Sequence, residues 1–103
     1  MTDALDVSID ELYSSGWSAL DSRGCEHTAE GRTYPGLVRI QQEFAKLGYE
    51  LRLRFVQLFD CYRAEWTDGQ GKAAGAVVGS SEIEAAIYAL SQVRQTAKAG
   101  ARP

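Results

Sequence analysis

Between Tyr49 and Thr67 the sequence YELRLRFVQLFDCYRAEWT carries two runs of alternation, and no other stretch limits the possible folds so strongly. Leu51, Leu53 and Phe55 alternate with Arg52, Arg54 and Val56, while Tyr62, Ala64 and Trp66 alternate with Cys61, Arg63 and Glu65. A period of two marks strands with one buried face. Folding the stretch about Leu58 and Phe59 predicts a hairpin in which Phe55 faces Tyr62, Leu53 faces Ala64 and Leu51 faces Trp66. The same register sets Arg52 opposite Glu65 and Arg54 opposite Arg63 on the other face, and a slip of one residue destroys both patterns.

The flanking sequence supplies elements to cover the apolar face. Ser8 and Glu11 stand at capping-box spacing, and Ile9, Leu12, Tyr13, Trp17 and Leu20 recur at helical intervals, predicting a first helix that runs through Gly16 to a stop at Arg23 and Gly24. Residues 1–7 show no period and are expected to fray. The segment GCEHTAEGRTYPG, residues 24–36, reads as a long loop. Pro35 suits the first turn of a second helix, with Leu37, Ile40, Phe44 and Leu47 inward, Arg39, Gln42, Glu43 and Lys46 toward water, and Gly48 as its stop. After Thr67, DGQGK is a hairpin turn signal and Lys72 to Val78 a third strand, with Val77 the better candidate for the core side. Ser81 and Glu84 again have capping-box spacing, opening a last helix whose stripe is Ile83, Ala86, Ile87, Leu90 and Val93.

A chain of 103 residues that is 45% hydrophobic and 24% charged makes one globular domain, 1–103, with an ordered core expected over about residues 8–95 and a flexible tail over 96–103. The net charge of −3 opposes general electrostatic attraction to nucleic acid or anionic membranes and leaves room only for a local basic patch. No apolar run approaches the roughly 20 residues of a membrane span. The acidic opening MTDALDVSIDEL is unlike a secretory signal, so the cytoplasm is the expected compartment. Cys25 and Cys61 make no disulfide framework and are expected as reduced thiols.

The resulting fold is α+β: a three-stranded antiparallel meander with helices on one face, in the order α-α-β-β-β-α. Residues 35–94 alone read α-β-β-β-α and lead into the last helix through Gly79, Ser80 and Ser81. This order resembles the double-stranded RNA-binding domain, and its β-β-β-α part resembles the small HicB-type antitoxin domain. The first resemblance implies lysines at the start of the last helix to bridge phosphates. Here that stretch is Ser80, Ser81, Glu82, Ile83 and Glu84, and its two carboxylates repel phosphate, so that mode of RNA binding does not carry over.

No catalytic site is expected. His27 is the only histidine and has no assignable nucleophile beside it. Cys25, Glu26 and His27 are adjacent, which is no spacing for a metal, and nothing in the sequence points to a cofactor. What remains is surface. Arg52, Arg54 and Arg63, with Lys72 not far along the chain, form an outer face suited to an anion or an acidic partner, although a solvated strand face is the plainer reading. Leu58 and Phe59 are apolar where turn residues should be polar, either tucked under the first helix or exposed as a contact. Ala74, Gly75 and Ala76 lie on a third strand without charge or proline, a candidate edge for pairing two copies. The expected function is that of a small non-enzymatic interaction or regulatory domain acting on a protein partner or on itself as a homodimer. The alternative is a nucleic-acid binder using the arginine face.

Overall fold

The computed structural model describes residues 4–18 and 23–100, with side chains through Thr96. Its elements are α1 (Ala4–Ser14), β1 (Cys25–His27), β2 (Thr33–Pro35), α2 (Leu37–Lys46), β3 (Glu50–Val56), β4 (Cys61–Thr67), β5 (Ala73–Gly79) and α3 (Glu82–Gly100). β3, β4 and β5 form an antiparallel meander in that order, and β1 pairs with β2 as a separate two-stranded ribbon. The fold is therefore α+β, as the sequence predicts. α3 packs on β4 and β5, α2 packs on β3, and α1 packs on α3.

The hairpin register is the one set by its two alternations: Leu51 pairs with Trp66, Arg52 with Glu65, Leu53 with Ala64, Arg54 with Arg63 and Phe55 with Tyr62. Leu51, Ala64 and Trp66 are buried on the helix side, joined by Phe44, Ile40, Ile9, Leu12, Ile87, Leu90 and Val93 in one core. Trp17 is buried as well, and Phe44 meets Trp66 with ring centroids 5.7 Å apart. The reversal is a 3₁₀ turn over Gln57–Phe59, closed by Asp60 in the left-handed conformation, which Asp tolerates better than most residues.

β5 begins at Ala73 and ends at Gly79, one residue later at each end than the Lys72–Val78 expected. Gly75 pairs with Trp66 but Ala73 pairs with Thr67, so Ala74 is the extra residue of a bulge. Val77 packs against the core and Val78 is 55% exposed. The DGQGK turn is built as predicted, with Asp68 Oδ1 accepting from the backbone N–H of Gln70 and of Lys72. At α3 the capping position holds, since Ser81 Oγ accepts the N–H of Glu84 at 3.2 Å. Ala85, Ala86 and Ala89 are fully buried, bringing the helix close to the sheet.

Four expectations are corrected. α1 starts by Ala4 and ends at Ser14, so residues 4–7 are helical; Ser8 is inside the helix with its hydroxyl donating to Leu5 O at 2.6 Å, and Gly16 (φ 93°) stops the helix that was expected to reach Gly24. Leu20 lies outside the described residues. The 24–36 loop contains the β1–β2 ribbon, turned at Thr28 to Arg32 by paired backbone bonds. The ribbon is tied to α1 through Arg32, whose guanidinium reaches Asp10 at 2.7 Å and Asp6 at 3.5 Å, and through the Tyr13 hydroxyl on Thr33 O. Pro35 closes β2 and Gly36 is the N-cap, so Pro35 precedes α2 instead of opening it. Finally, α3 continues to Gly100 where a tail from residue 96 was expected, because Thr96 to Gly100 contains no breaker before its last residue and elongating an existing helix is easy. Among the described residues, no helix is long and apolar enough to cross a membrane.

Between α2 and β3 the chain turns through a Schellman motif. Gly48 N–H donates to Ala45 O at 3.0 Å and Tyr49 N–H to Phe44 O at 2.9 Å, with Gly48 at φ 88°. The stop predicted at Gly48 is thus the actual helix end, and β3 begins two residues later.

Candidate functional site

Three surfaces carry the residues singled out from sequence. The first is the outer sheet face. Arg54 and Arg63 stand opposite each other, and the cost of that like-charge pair is offset within the chain: Glu65 Oε1 accepts from Arg63 Nε at 2.6 Å and from Arg54 Nε at 3.0 Å. These bonds, that of Arg63 foremost and then that of Arg54, hold the Glu65 carboxyl below its usual pKa. Arg52 does not join them. It faces Glu65 across the strands but its Nε lies 3.3 Å from Glu50 Oε1. Lys72 is also apart, since it precedes Ala73, which pairs with Thr67, four strand positions or ~13 Å from Arg63. The arginine face is an ion-pair network with two carboxylates in it, more neutral than its three arginines suggest.

The second surface is the hairpin tip. Leu58 is 83% exposed and Phe59 73%, so the tip projects into solvent and is not tucked under α1. Phe55, on the helix side, is 49% exposed and packs edge-on against Tyr62 at 5.2 Å, extending the apolar character of the tip inward.

The third is the free side of β5. The two outer strands of the sheet differ in how they are protected. β3 presents Glu50, Arg52 and Arg54 along its edge, all exposed, whereas β5 presents exposed Ala73, Ala74, Ala76 and Val78 with no charge among them. Among the described residues no strand pairs with the far side of β5. Gly75 is different from its neighbours: it sits under Trp66, and a Cβ there would lie 2.3 Å from Trp66 Cζ2.

Sequence reasoning missed a fourth arrangement. Arg39 and Glu43, expected to face water, have side chains only 14% and 13% exposed. Glu43 Oε2 accepts from Trp17 Nε1 at 2.9 Å and Arg39 Nε at 3.0 Å, and Arg39 also donates to Arg23 O at 2.6 Å. Arg94 of α3 approaches Glu43 from the other side. The available signals were the i, i+4 spacing of Arg39 and Glu43 and the need of a buried indole N–H for an acceptor.

In the 24–36 segment the three ligand-type residues are strand neighbours. Cys25, Glu26 and His27 occupy successive positions of that strand, so their side chains alternate in direction, and among the described residues no group of three or more metal-ligating side chains converges. Neither cysteine is in a disulfide. No protein-family model, curated protein or solved structure matches this chain.

Proposed function

We propose that the chain is a small non-enzymatic interaction domain of the cytoplasm that acts through protein partners, and that its first partner is a second copy joined along β5. The observation that carries this reading is the contrast between the two sheet edges: β3 is guarded by charge and β5 is not. Antiparallel pairing of two β5 strands about a two-fold axis makes a continuous six-stranded sheet. The small side chains of Ala74, Gly75 and Ala76 allow close backbone approach. Charge favours the same arrangement, because Lys72 lies before the strand and Glu82 after it, so an antiparallel pair brings Lys72 of one copy toward Glu82 of the other. The exposed Leu58 and Phe59 then serve as the contact for a further protein.

The nucleic-acid alternative has less behind it. Glu65 occupies the space between Arg54 and Arg63 where a phosphate would bind, and Glu50 takes Arg52. Light scattering tests the main reading: the expected mass is twice the 11.3 kDa of one chain at micromolar concentration. Ala76→Lys, which places a charge on the edge at an exposed position opposite Glu65, shifts the protein toward monomer. A parent that stays monomeric throughout the concentration series refutes β5 pairing. Retention of RNA or DNA at low salt, lost on adding salt, moves the assignment to the arginine face.

A further inference from the structure

Where the C-terminal ends of α1 and α2 meet the C-terminal half of α3, an open cleft of about 540 Å³ is lined by Ser15, Arg39, Glu43, Lys46, Leu47 and Arg94. Its lining carries three cations and one carboxylate, in a chain whose net charge is −3. The two helix ends contribute roughly half a negative charge each, which offsets about one of the two excess cations and leaves the cleft positive by about one charge. The carboxylate is largely engaged already. Glu43 Oε2 accepts from Trp17 and Arg39, and Glu43 Oε1 is 3.8 Å from Arg94 Nη1, longer than a hydrogen bond.

Arg94 is held at two of its three nitrogens, by Ser15 at Nε and by the Glu43 ion pair at Nη1. Its Nε–H donates to Ser15 Oγ at 3.2 Å, and its Nη2 has no acceptor among the described residues. Nor does the ammonium of Lys46, at the cleft rim. A guanidinium fixed at Nε and Nη1 keeps Nη2 in place as a charged donor for one oxygen of a further oxyanion. Leu47, 42% exposed, supplies an apolar wall beside these donors, and the cleft falls within the roughly 300–1,000 Å³ of small-molecule sites.

We propose that this cleft binds a small organic acid, its carboxylate taken by Arg94 Nη2 and Lys46 Nζ and its apolar part lying on Leu47. The site is separate from β5 and from the hairpin tip, so it stands or falls independently of self-association. Trp17 is a built-in reporter, since its indole N–H is bonded to Glu43 in the cleft, while the second tryptophan, Trp66, lies buried over Gly75 in the sheet.

The test is a titration of the ¹⁵N-labelled full chain with sodium benzoate at constant ionic strength, following the two indole N–H signals. The Trp17 signal is expected to shift and saturate while that of Trp66 stays in place. Lys46→Gln and Arg94→Gln should each weaken binding about tenfold, as expected for losing one charge-assisted hydrogen bond, whereas Arg52→Gln on the far face should bind as the parent does. Lys46 is exposed, so its variant keeps the fold and decides the matter even if Arg94→Gln disturbs the contact with Ser15. The proposal is overturned by a parent whose Trp17 signal does not saturate, by undiminished binding in Lys46→Gln, or by an equal response to sodium chloride or inorganic phosphate.

Discussion

Adding a single methyl group at Gly75 should destabilise the fold, although general propensity says the reverse. A glycine inside a strand is worth about 0.5–1 kcal/mol less than alanine, so Gly75→Ala would gain that much if the site were open. It is not open. The new Cβ would lie 2.3 Å from Trp66 Cζ2, 2.6 Å from Cε2 and 3.0 Å from Cη2. The indole cannot move aside cheaply, because it is 4% exposed and backed by Phe44 at 5.7 Å. Contacts this short put the overpacking cost toward the upper end of the usual range, at about 2–3 kcal/mol, leaving a net loss of about 1–2.5 kcal/mol after the propensity gain. At about 4–8 °C per kcal/mol for a domain of this size, the melting temperature should fall by roughly 4–20 °C. Thermal melts followed by far-ultraviolet circular dichroism measure it, with urea titration for the free energy. A double-mutant cycle with Trp66→Leu identifies the cause: the double variant should lose well less than the sum of the two single losses, because the smaller side chain makes room for the methyl. A Gly75→Ala protein that melts at or above the parent would refute the reasoning, and with it the placement of Trp66 directly over β5.

Glu65→Gln removes the carboxylate between Arg54 and Arg63 and should lower stability slightly at neutral pH. Because the folded-state pKa of Glu65 is depressed, its contribution is present above the unfolded-state value of about 4.3 and fades as pH falls through the lower folded one, so parent and variant should converge on acidification in urea melts at stepped pH. Glu43→Gln leaves Arg39 and Arg94 without their shared counter-charge and should cost about 1–3 kcal/mol, with a change in Trp17 fluorescence. Phe59→Ser should alter stability by no more than about 0.5 kcal/mol, since the side chain is 73% exposed, while reducing the binding of an apolar dye to the native protein.

The sequence was most legible where two independent patterns had to agree. The β3–β4 register follows from apolar alternation on one face and charge alternation on the other, and each pair from Leu51–Trp66 to Phe55–Tyr62 stands where that agreement puts it. Ser81 also caps as its spacing predicts, accepting the Glu84 N–H, but the Glu84 carboxylate accepts from the Ser80 hydroxyl, so only half of the expected capping box is built. The same spacing at Ser8 and Glu11 misled, because a serine hydroxyl satisfies a carbonyl one turn back as readily as it caps, and Ser8 does so to Leu5. β1 and β2 were invisible because three residues are too few to show a period among glycines. The cleft was hidden for another reason. Arg39, Glu43 and Lys46 read as a wetted helix face until α1 and α3 are laid beside it, and Trp17 and Arg94 are distant in sequence from the carboxylate they meet.

The junction between α2 and β3 bears on where this chain can change length. With Phe44 O bonded to the amide of Tyr49 and β3 starting at Glu50, the helix and the strand share one rigid corner. One residue inserted there would either break that corner or turn Arg52 and Arg54 inward and Leu51 and Leu53 outward, since each step along a strand reverses the facing. The turn from Asp68 to Lys72 imposes no such demand: Gly69, Gln70, Gly71 and Lys72 are exposed, and a longer loop there costs only the slowly growing entropy of closure. Insertions, tags and spliced domains should therefore be accepted between β4 and β5 and rejected between α2 and β3, although both sites are short turns containing glycine.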